Sequence, residues 1–396
     1  MSLNNTPSAN RLHIGIFGKR NSGKSSLINA LTNQDVALVS NIAGTTTDPV
    51  YKAMEVRGIG ACTFIDTAGF DDEGDLGKLR IDKTKQAVLK TEIAILVFTN
   101  VETAIEYEWY LLLKEHNIPV IAVINKADCL KNIEIISQTI KEQFELNPII
   151  VSSVNRNGID EVLIELVRNV PESFNNDSIT KHLVNQGDVV MLVMPQDSEA
   201  PKGRLILPQV QTTRDLLDNQ CIIISVTPEQ MPNAIHSLKE PPKLIITDSQ
   251  AFQAVYKMTP KESKLTSFSV LFAAHKGDLP TFIDGANAID KLNANSKVLI
   301  AEACTHAPLS EDIGRVKIPM LLRKKYGQSL QIDIVSGVDF PDDVTAYDLI
   351  VHCGGCMFNK KYLLSRIERA KSSGVPITNY GVLLAKLNGI LDKITM

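Results

Sequence analysis

The chain has 396 residues, 44% hydrophobic and 22% charged, with a formal net charge of −4. That length calls for two or three domains rather than one core, and the mild charge gives no global pull toward nucleic acid or an anionic membrane. The start, MSLNNTPSANRLHIGIFG, has no basic segment leading into an apolar run, and stretches such as IAILVF are too short to span a bilayer, so a cytosolic (cytoplasmic) protein is expected.

From residue 11 to about 170, strand-like runs (HIGIFG, ACTFID, AILVFT, PVIAVIN, PIIVSS) alternate with helix-like ones (SSLINALT, EYEWYLLLKEH). That rhythm is the α/β signature of a mainly parallel sheet covered by helices. The polar stretch VPESFNNDSITK reads as a linker. GDVVMLVMP, CIIISVTP and KLIITD then give three buried-strand candidates of a smaller α/β domain. After KMTPKESKLTS a third α/β domain begins, with strands in VLIAEAC, QIDIVSG, DLIVHC and PITNYG. The expected domains are therefore 1–172, 173–262 and 263–396.

The first strand runs into GKRNSGKSS, in which Gly18 is followed after four residues by Gly23, Lys24 and Ser25. This strand–loop–helix pattern is a P-loop. Its glycines let backbone N–H groups face phosphates, and the helix N-terminus adds its positive end. Lys24 would neutralise the β- and γ-phosphates and Ser25 would hold Mg²⁺; Ser22 and Ser26 complete the loop's candidates. DTAG follows a strand-like run: Asp66 reaches Mg²⁺ through water, and Gly69 offers its N–H to the γ-phosphate. NKAD also ends a strand. The Asp128 carboxylate there can accept the paired ring N–H and amine of guanine, a donor edge that adenine lacks, while Asn125 braces the loop beside Lys126. SSVNRNG, with Ser152 and Ser153, lies where a last base-contacting loop would fall.

In this order the motifs resemble a GTP-binding domain. The loop AGTTTDP should supply a threonine over Mg²⁺, Thr46 being preferred to Thr45, so Lys24, Thr46 and Gly69 form the expected catalytic set. GTTTD together with GKRNSGKS resembles the tRNA-modification and ribosome-assembly branch of GTPases. In that branch an asparagine at the position of Asn21 is linked to a bound K⁺, which can do an arginine finger's work; alternatively Asn21 only supports the turn. Phe70 stands where Ras-like enzymes carry a water-orienting glutamine. A phenyl ring neither orients nor deprotonates water, so slow unassisted hydrolysis is expected, and DDEGD (Asp71 to Asp75) reads as a solvated loop.

Intracellular cysteines point to thiols or metal ligands rather than disulfides. Of six cysteines and seven histidines, EACTHAP holds Cys304 and His306, and VHCGGCM holds His352, Cys353 and Cys356. Both fragments follow apolar runs, and in a parallel sheet such positions converge at the carboxyl ends of the strands. Cys62, Cys129 and Cys221 stand apart and are expected as small buried residues. Three thiolates and an imidazole fit tetrahedral zinc; three thiolates equally fit a four-iron cluster with one iron exchangeable or bound by a histidine.

A GTPase domain, two further α/β domains, then Cys-x-His, 45 intervening residues and His-Cys-x-x-Cys together resemble the FeFe-hydrogenase maturation GTPase family HydF. ILPQVQTTRDLLD and GVPITNYGV also look like that family. The resemblance covers essentially the whole chain. It implies a 4Fe–4S cluster on Cys304, Cys353 and Cys356, with His352 slightly preferred to His306 as a fourth ligand. It further implies a scaffold that receives the di-iron precursor of the hydrogenase active site and delivers it to apo FeFe-hydrogenase. The implied partners are radical-SAM hydrogenase maturases, the hydrogenase and a second copy of the chain through the middle domain, with neither membrane nor nucleic acid. The alternative is a zinc-braced regulatory GTPase acting on RNA or ribosomes.

Overall fold

A computed structural model describes residues 7–32, 49–69, 74–171, 174, 178–195, 205–303, 312–355 and 357–395, without the side chains of 74–79. Its internal contacts divide the chain into two compact units, Met1–Asn176 and Asp177–Met396.

The first unit is built on a six-stranded sheet. Its strands are β1 (Leu12–Gly18), β2 (Val50–Val56), β3 (Gly60–Asp66), β4 (Ile93–Phe98), β5 (Val120–Ile124) and β6 (Ile149–Ile150), in the order β2-β3-β1-β4-β5-β6. All neighbours are parallel except β2, which runs antiparallel to β3. Its helices are α1 (Lys24–Thr32), α2 (Gly74–Lys90), α3 (Ala104–Glu115), α4 (Ile133–Phe144) and α5 (Ile159–Arg168). β1 and β4 are buried throughout, as strands must be when helices cover both faces. The strand order reverses around β1, and such switch points open a crevice beyond the carboxyl ends of the strands. Gly18, Asp66 and Asn125 all stand there, at or just past the ends of β1, β3 and β5.

The second unit holds two parallel four-stranded sheets. The first consists of β7 (Val189–Val193), β8 (Ile222–Val226), β9 (Leu244–Thr247) and β10 (Lys264–Ser267), in the order β10-β9-β7-β8, with helices α6 (Leu207–Asp218), α7 (Met231–His236), α8 (Phe252–Met258) and α9 (Phe268–Lys276). The second consists of β11 (Lys297–Glu302), β12 (Gln331–Ser336), β13 (Leu349–His352) and β14 (Ile377–Asn379), in the order β12-β11-β13-β14, with α10 (Leu279–Ala288), α11 (Ile318–Tyr326), α12 (Lys360–Ser372) and α13 (Tyr380–Leu387). Met191 and Ile245 of the first sheet and Phe252 of α8 share one apolar core with Leu299, Ile350 and Ile377 of the second sheet and Phe282 of α10. β10 lies beyond the expected boundary at 262 and pairs with β9. The switch point of the last sheet falls between β11 and β13, where Ala301 is level with His352.

Two expectations are corrected here. Gly74 and Asp75 of the acidic run belong to α2 rather than to a loop, since the helix starts inside the run. Cys129 is exposed, not buried. No described helix is long and apolar enough to cross a membrane.

Candidate functional site

The phosphate loop joins β1 to α1. Asn21 has φ +57° and Gly23 φ +87°, left-handed values that asparagine and glycine adopt most readily. A β-carbon on Gly23 would lie 2.4 Å from Asn125 Nδ2, so the close approach of these two loops also requires glycine. Lys24 opens α1, and its ammonium turns back to donate to the carbonyls of Gly18 (2.9 Å) and Lys19 (2.8 Å). Ser25 Oγ donates to Asp66 Oδ2 at 2.6 Å. Burial pushes the Asp66 carboxyl up, opposed by the Ser25 hydroxyl and by Lys24 and Lys52. A desolvated carboxylate in contact with a hydroxyl, at a helix N-terminus suited to phosphates, fits Mg²⁺ held between protein and nucleotide. Ser22 Oγ is buried and has no hydrogen-bond partner among the described residues. Ser26 is the third residue of α1.

Asn125 is fully buried and ties three segments together. Its Nδ2 donates to the carbonyls of Ser22 (3.1 Å) and Gly23 (3.2 Å), while its Oδ1 accepts from the hydroxyl (2.8 Å) and N–H (3.3 Å) of Ser153. Lys126, with φ +62°, lays its stem near Gly23. The exposed Asp128 accepts from Cys129 Sγ (3.0 Å) and Ser152 Oγ (2.6 Å), and these donors hold its carboxyl below the usual range. P-loop, NKAD and SSVNRNG are thus one connected assembly. Gly69 packs against the Arg20 backbone, where a β-carbon would meet the Arg20 nitrogen at 2.7 Å. Thr45, Thr46, Phe70 and Asp71 lie outside the described residues.

Two supporting pairs have no motif of their own. Lys19 pairs with the buried Glu106 at 3.2 Å, fixing the P-loop to the first turn of α3. Lys52 of β2 donates to Asn29 of α1 at 2.7 Å and adds positive charge behind Asp66.

In the second unit, Cys353 directly follows β13 and its N–H donates to Ala301 O of β11 at 2.9 Å. Its sulfur accepts from the N–H groups of Ala303 (3.0 Å) and Gly355 (3.4 Å). Gly355 reaches the second of these with φ +63°. Two backbone donors aimed at one sulfur favour the thiolate, the form in which cysteine binds metal. Cys304, His306 and Cys356 lie outside the described residues. His352 is completely buried, and burial with Arg366 nearby pushes its pKa down to about 3. Its Nδ1 faces Cys353 O at 2.7 Å, which requires an Nδ1–H donor, so Nε2 accepts from Arg366 at 2.9 Å. In that arrangement neither ring nitrogen has a lone pair for a metal.

Strand order, phosphate loop and base-reading loops define a P-loop GTPase domain followed by further α/β domains. Residues 13–126 match the family model described as 50S ribosome-binding GTPase, residues 179–277 the hydrogen maturase F dimerization domain, and residues 280–396 the hydrogen maturase F tetramerization domain. The two maturase models together span more than half of the sequence, and the chain belongs to the hydrogen maturase F (HydF) family of GTPases. It is also similar to the tRNA modification GTPase MnmE of Geobacillus thermodenitrificans (34% identity over 149 residues, 37% of this chain and 32% of that protein). MnmE of Staphylococcus aureus strain JH9 is 32% identical over 153 residues, 38% of this chain and 33% of that protein. The chain spans about a third of the length of these curated relatives. Among solved structures, Aquifex aeolicus Era bound to GDP.AlF4- aligns with a TM-score of 0.37 at 18% identity, over 57% of this chain and 97% of that one. A probable GTP-binding protein engB aligns at 0.33 and 23%, over 39% and 98%.

Proposed function

We propose that this chain is a slow GTP hydrolase that serves as a scaffold in FeFe-hydrogenase maturation. It carries a 4Fe–4S cluster on Cys304, Cys353 and Cys356, and it passes a di-iron precursor to the apo-hydrogenase. The observation that carries this reading is the Cys353 sulfur, held by two backbone N–H donors at the switch point of the last sheet. The engagement of His352 favours iron over zinc, because it removes one of the two imidazoles able to close a tetrahedral zinc set. When bound, the cluster supplies a redox-active anchor with one iron open to exchange.

GTP and Mg²⁺ occupy the first unit, with Lys24, Ser25, Asp66 and Gly69 around the phosphates and Asp128 on guanine. The segment carrying Thr46 is the switch that responds to the γ-phosphate. Nucleotide then biases partner binding through its differential affinity for two states, a coupling of about 1–3 kcal/mol. The partners in this reading are radical-SAM maturases, the apo-hydrogenase and further copies of the chain, in the cytoplasm.

Asn21, exposed and left-handed, is proposed to assist a K⁺ ion beside the transferring phosphate. Turnover is expected to be faster in KCl than in NaCl, and the difference to vanish in Asn21→Gly, which keeps the backbone conformation. Equal loss in both salts would leave Asn21 a turn residue only.

The test of the main reading is iron, acid-labile sulfide and zinc content after anaerobic reconstitution. About four irons and four sulfides per chain are expected from the proposed cluster type, lost in Cys353→Ala. One zinc without sulfide would instead favour a zinc-braced GTPase acting on RNA or ribosomes.

A further inference from the structure

Arg366 is an arginine in the wrong place for a surface residue. It lies on the apolar stripe of α12 beside Tyr362, Leu363, Ile367 and Ala370, and only 3% of it is exposed. Its guanidinium carbon sits 4.5 Å from the ring centre of Phe358, 4.8 Å from Tyr362 and 4.9 Å from Phe340. Beyond the bond to His352 it donates to Gly337 O and, at 3.3 Å, to the Tyr362 hydroxyl, while its Nε has no hydrogen-bond partner among the described residues. Nearby arginines have carboxylates: Arg315 pairs with Glu302 and Arg369 with Asp342, each at 2.9 Å. Among the described residues no carboxylate pairs with Arg366.

A buried cation with no counter-ion among the described residues is unfavourable, and an aromatic cage returns only part of that cost. An anion should therefore belong to this pocket. Burial pushes the Arg366 guanidinium down from its ordinary range, and Tyr362 and the Cys353 thiol oppose that shift. A metal-bound cysteine is a permanent thiolate, the anion this pocket calls for. His352 links the two positions, accepting from Arg366 on one side of its ring and donating to the Cys353 carbonyl on the other. A second buried cation, Lys276 of α9, donates to Phe358 O at 3.3 Å in the same loop.

We propose that Arg366 is the built-in counter-ion of the thiolate-held cluster. It positions Cys353 through His352 and raises the cluster's reduction potential by placing a fixed positive charge within the protein interior. This rests on the cluster reading above. One-electron reduction adds a negative charge to the cluster, and a nearby fixed cation stabilises that added charge more strongly than the oxidised form. Arg366 is thus a positioning and electrostatic residue, not a ligand.

The experiment compares wild type, Arg366→Lys and Arg366→Gln after anaerobic reconstitution. It measures iron and sulfide per chain, the midpoint potential by mediated dithionite titration followed by electron paramagnetic resonance, and the melting temperature of the metal-free chain. Arg366→Gln is expected to shift the midpoint to a more negative value and to lose iron faster to a chelator, while Arg366→Lys stays near wild type in potential. If Arg366→Gln does not fold, Arg366→Met, whose apolar stem fills the same cage, carries the comparison. A wild-type chain without iron and sulfide would overturn the cluster reading itself. A wild-type cluster whose potential is unchanged in the neutral variants would overturn this inference alone.

Discussion

Lys24→Ala is expected to abolish GTP turnover, by at least about 10²-fold as for loss of one preorganised charge-stabilising donor, while iron content stays at the wild-type level. The Lys24 ammonium is buried over the phosphate loop and donates to two of its carbonyls. It is the positive group this loop offers to phosphates from inside, and nothing shorter can replace it there. Alanine keeps α1 intact because it is the best helix former. Leaving the carbonyls of Gly18 and Lys19 without their donor costs about 1–3 kcal/mol, which a melting curve would register without loss of the fold. Lys24 belongs to the compact unit ending at Asn176, whereas Cys353 belongs to the unit that begins at Asp177. Turnover by phosphate release and iron by colorimetry, measured on the same preparation, check the prediction. Iron lost together with turnover would mean that cluster binding depends on a loaded nucleotide site.

What the sequence made legible follows from how local each feature is. The phosphate loop was readable because its backbone conformation restricts which residues can occupy it: left-handed positions fall on Asn21 and Gly23, and the close approach of Asn125 excludes a side chain at Gly23. β1, β4 and β13 were readable because strands buried on both faces are continuous apolar runs. β2 was not, since it is an antiparallel edge strand with five of its seven residues exposed or partly so. β10 was hidden for another reason: KLTS is four residues long and sits among lysines and a proline that read as a boundary.

The same distinction separates the two candidate sites. Asp128 and Asn125 stand in a short motif at a strand end, so spacing alone located them, although partners such as Ser22, Gly23, Ser152 and Ser153 lie 24 to 103 positions away. Lys52, Glu106 and Arg366 act on groups 14 to 87 positions away and belong to no motif that could announce them. Arg366 did leave one trace, a charged residue within the apolar face of a helix. Its pairing with His352 leaves that histidine, beside two cysteines, hydrogen-bonded through both ring nitrogens, to the loop's backbone and to Arg366. Cys129 shows the reverse case: a cysteine next to NKAD looks buried by type, yet the turn that presents Asp128 to solvent carries its neighbour out with it.

Asp128→Asn is expected to weaken GTP binding on the order of 10⁴-fold, the penalty for mismatching a site built to bond specific donors, and to make xanthosine triphosphate the preferred nucleotide. An ionised carboxylate accepts about four hydrogen bonds and donates none. Ser152 Oγ and Cys129 Sγ take one on each oxygen of Asp128, which leaves one on each for the two N–H groups of guanine. Both protein donors also keep the carboxyl ionised, so the pair of acceptors is in place at neutral pH and is lost only well below the ordinary carboxylate range. Asparagine substitutes an NH₂ for one oxygen and sets a donor against a donor. Xanthine carries a carbonyl where guanine carries its amine, and so restores the match to asparagine. Calorimetric titration with the two nucleotides separates this from a structural effect. Weaker binding of both to the same extent would mean that Asp128 acts by holding Ser152 and its loop, and that the base is read elsewhere.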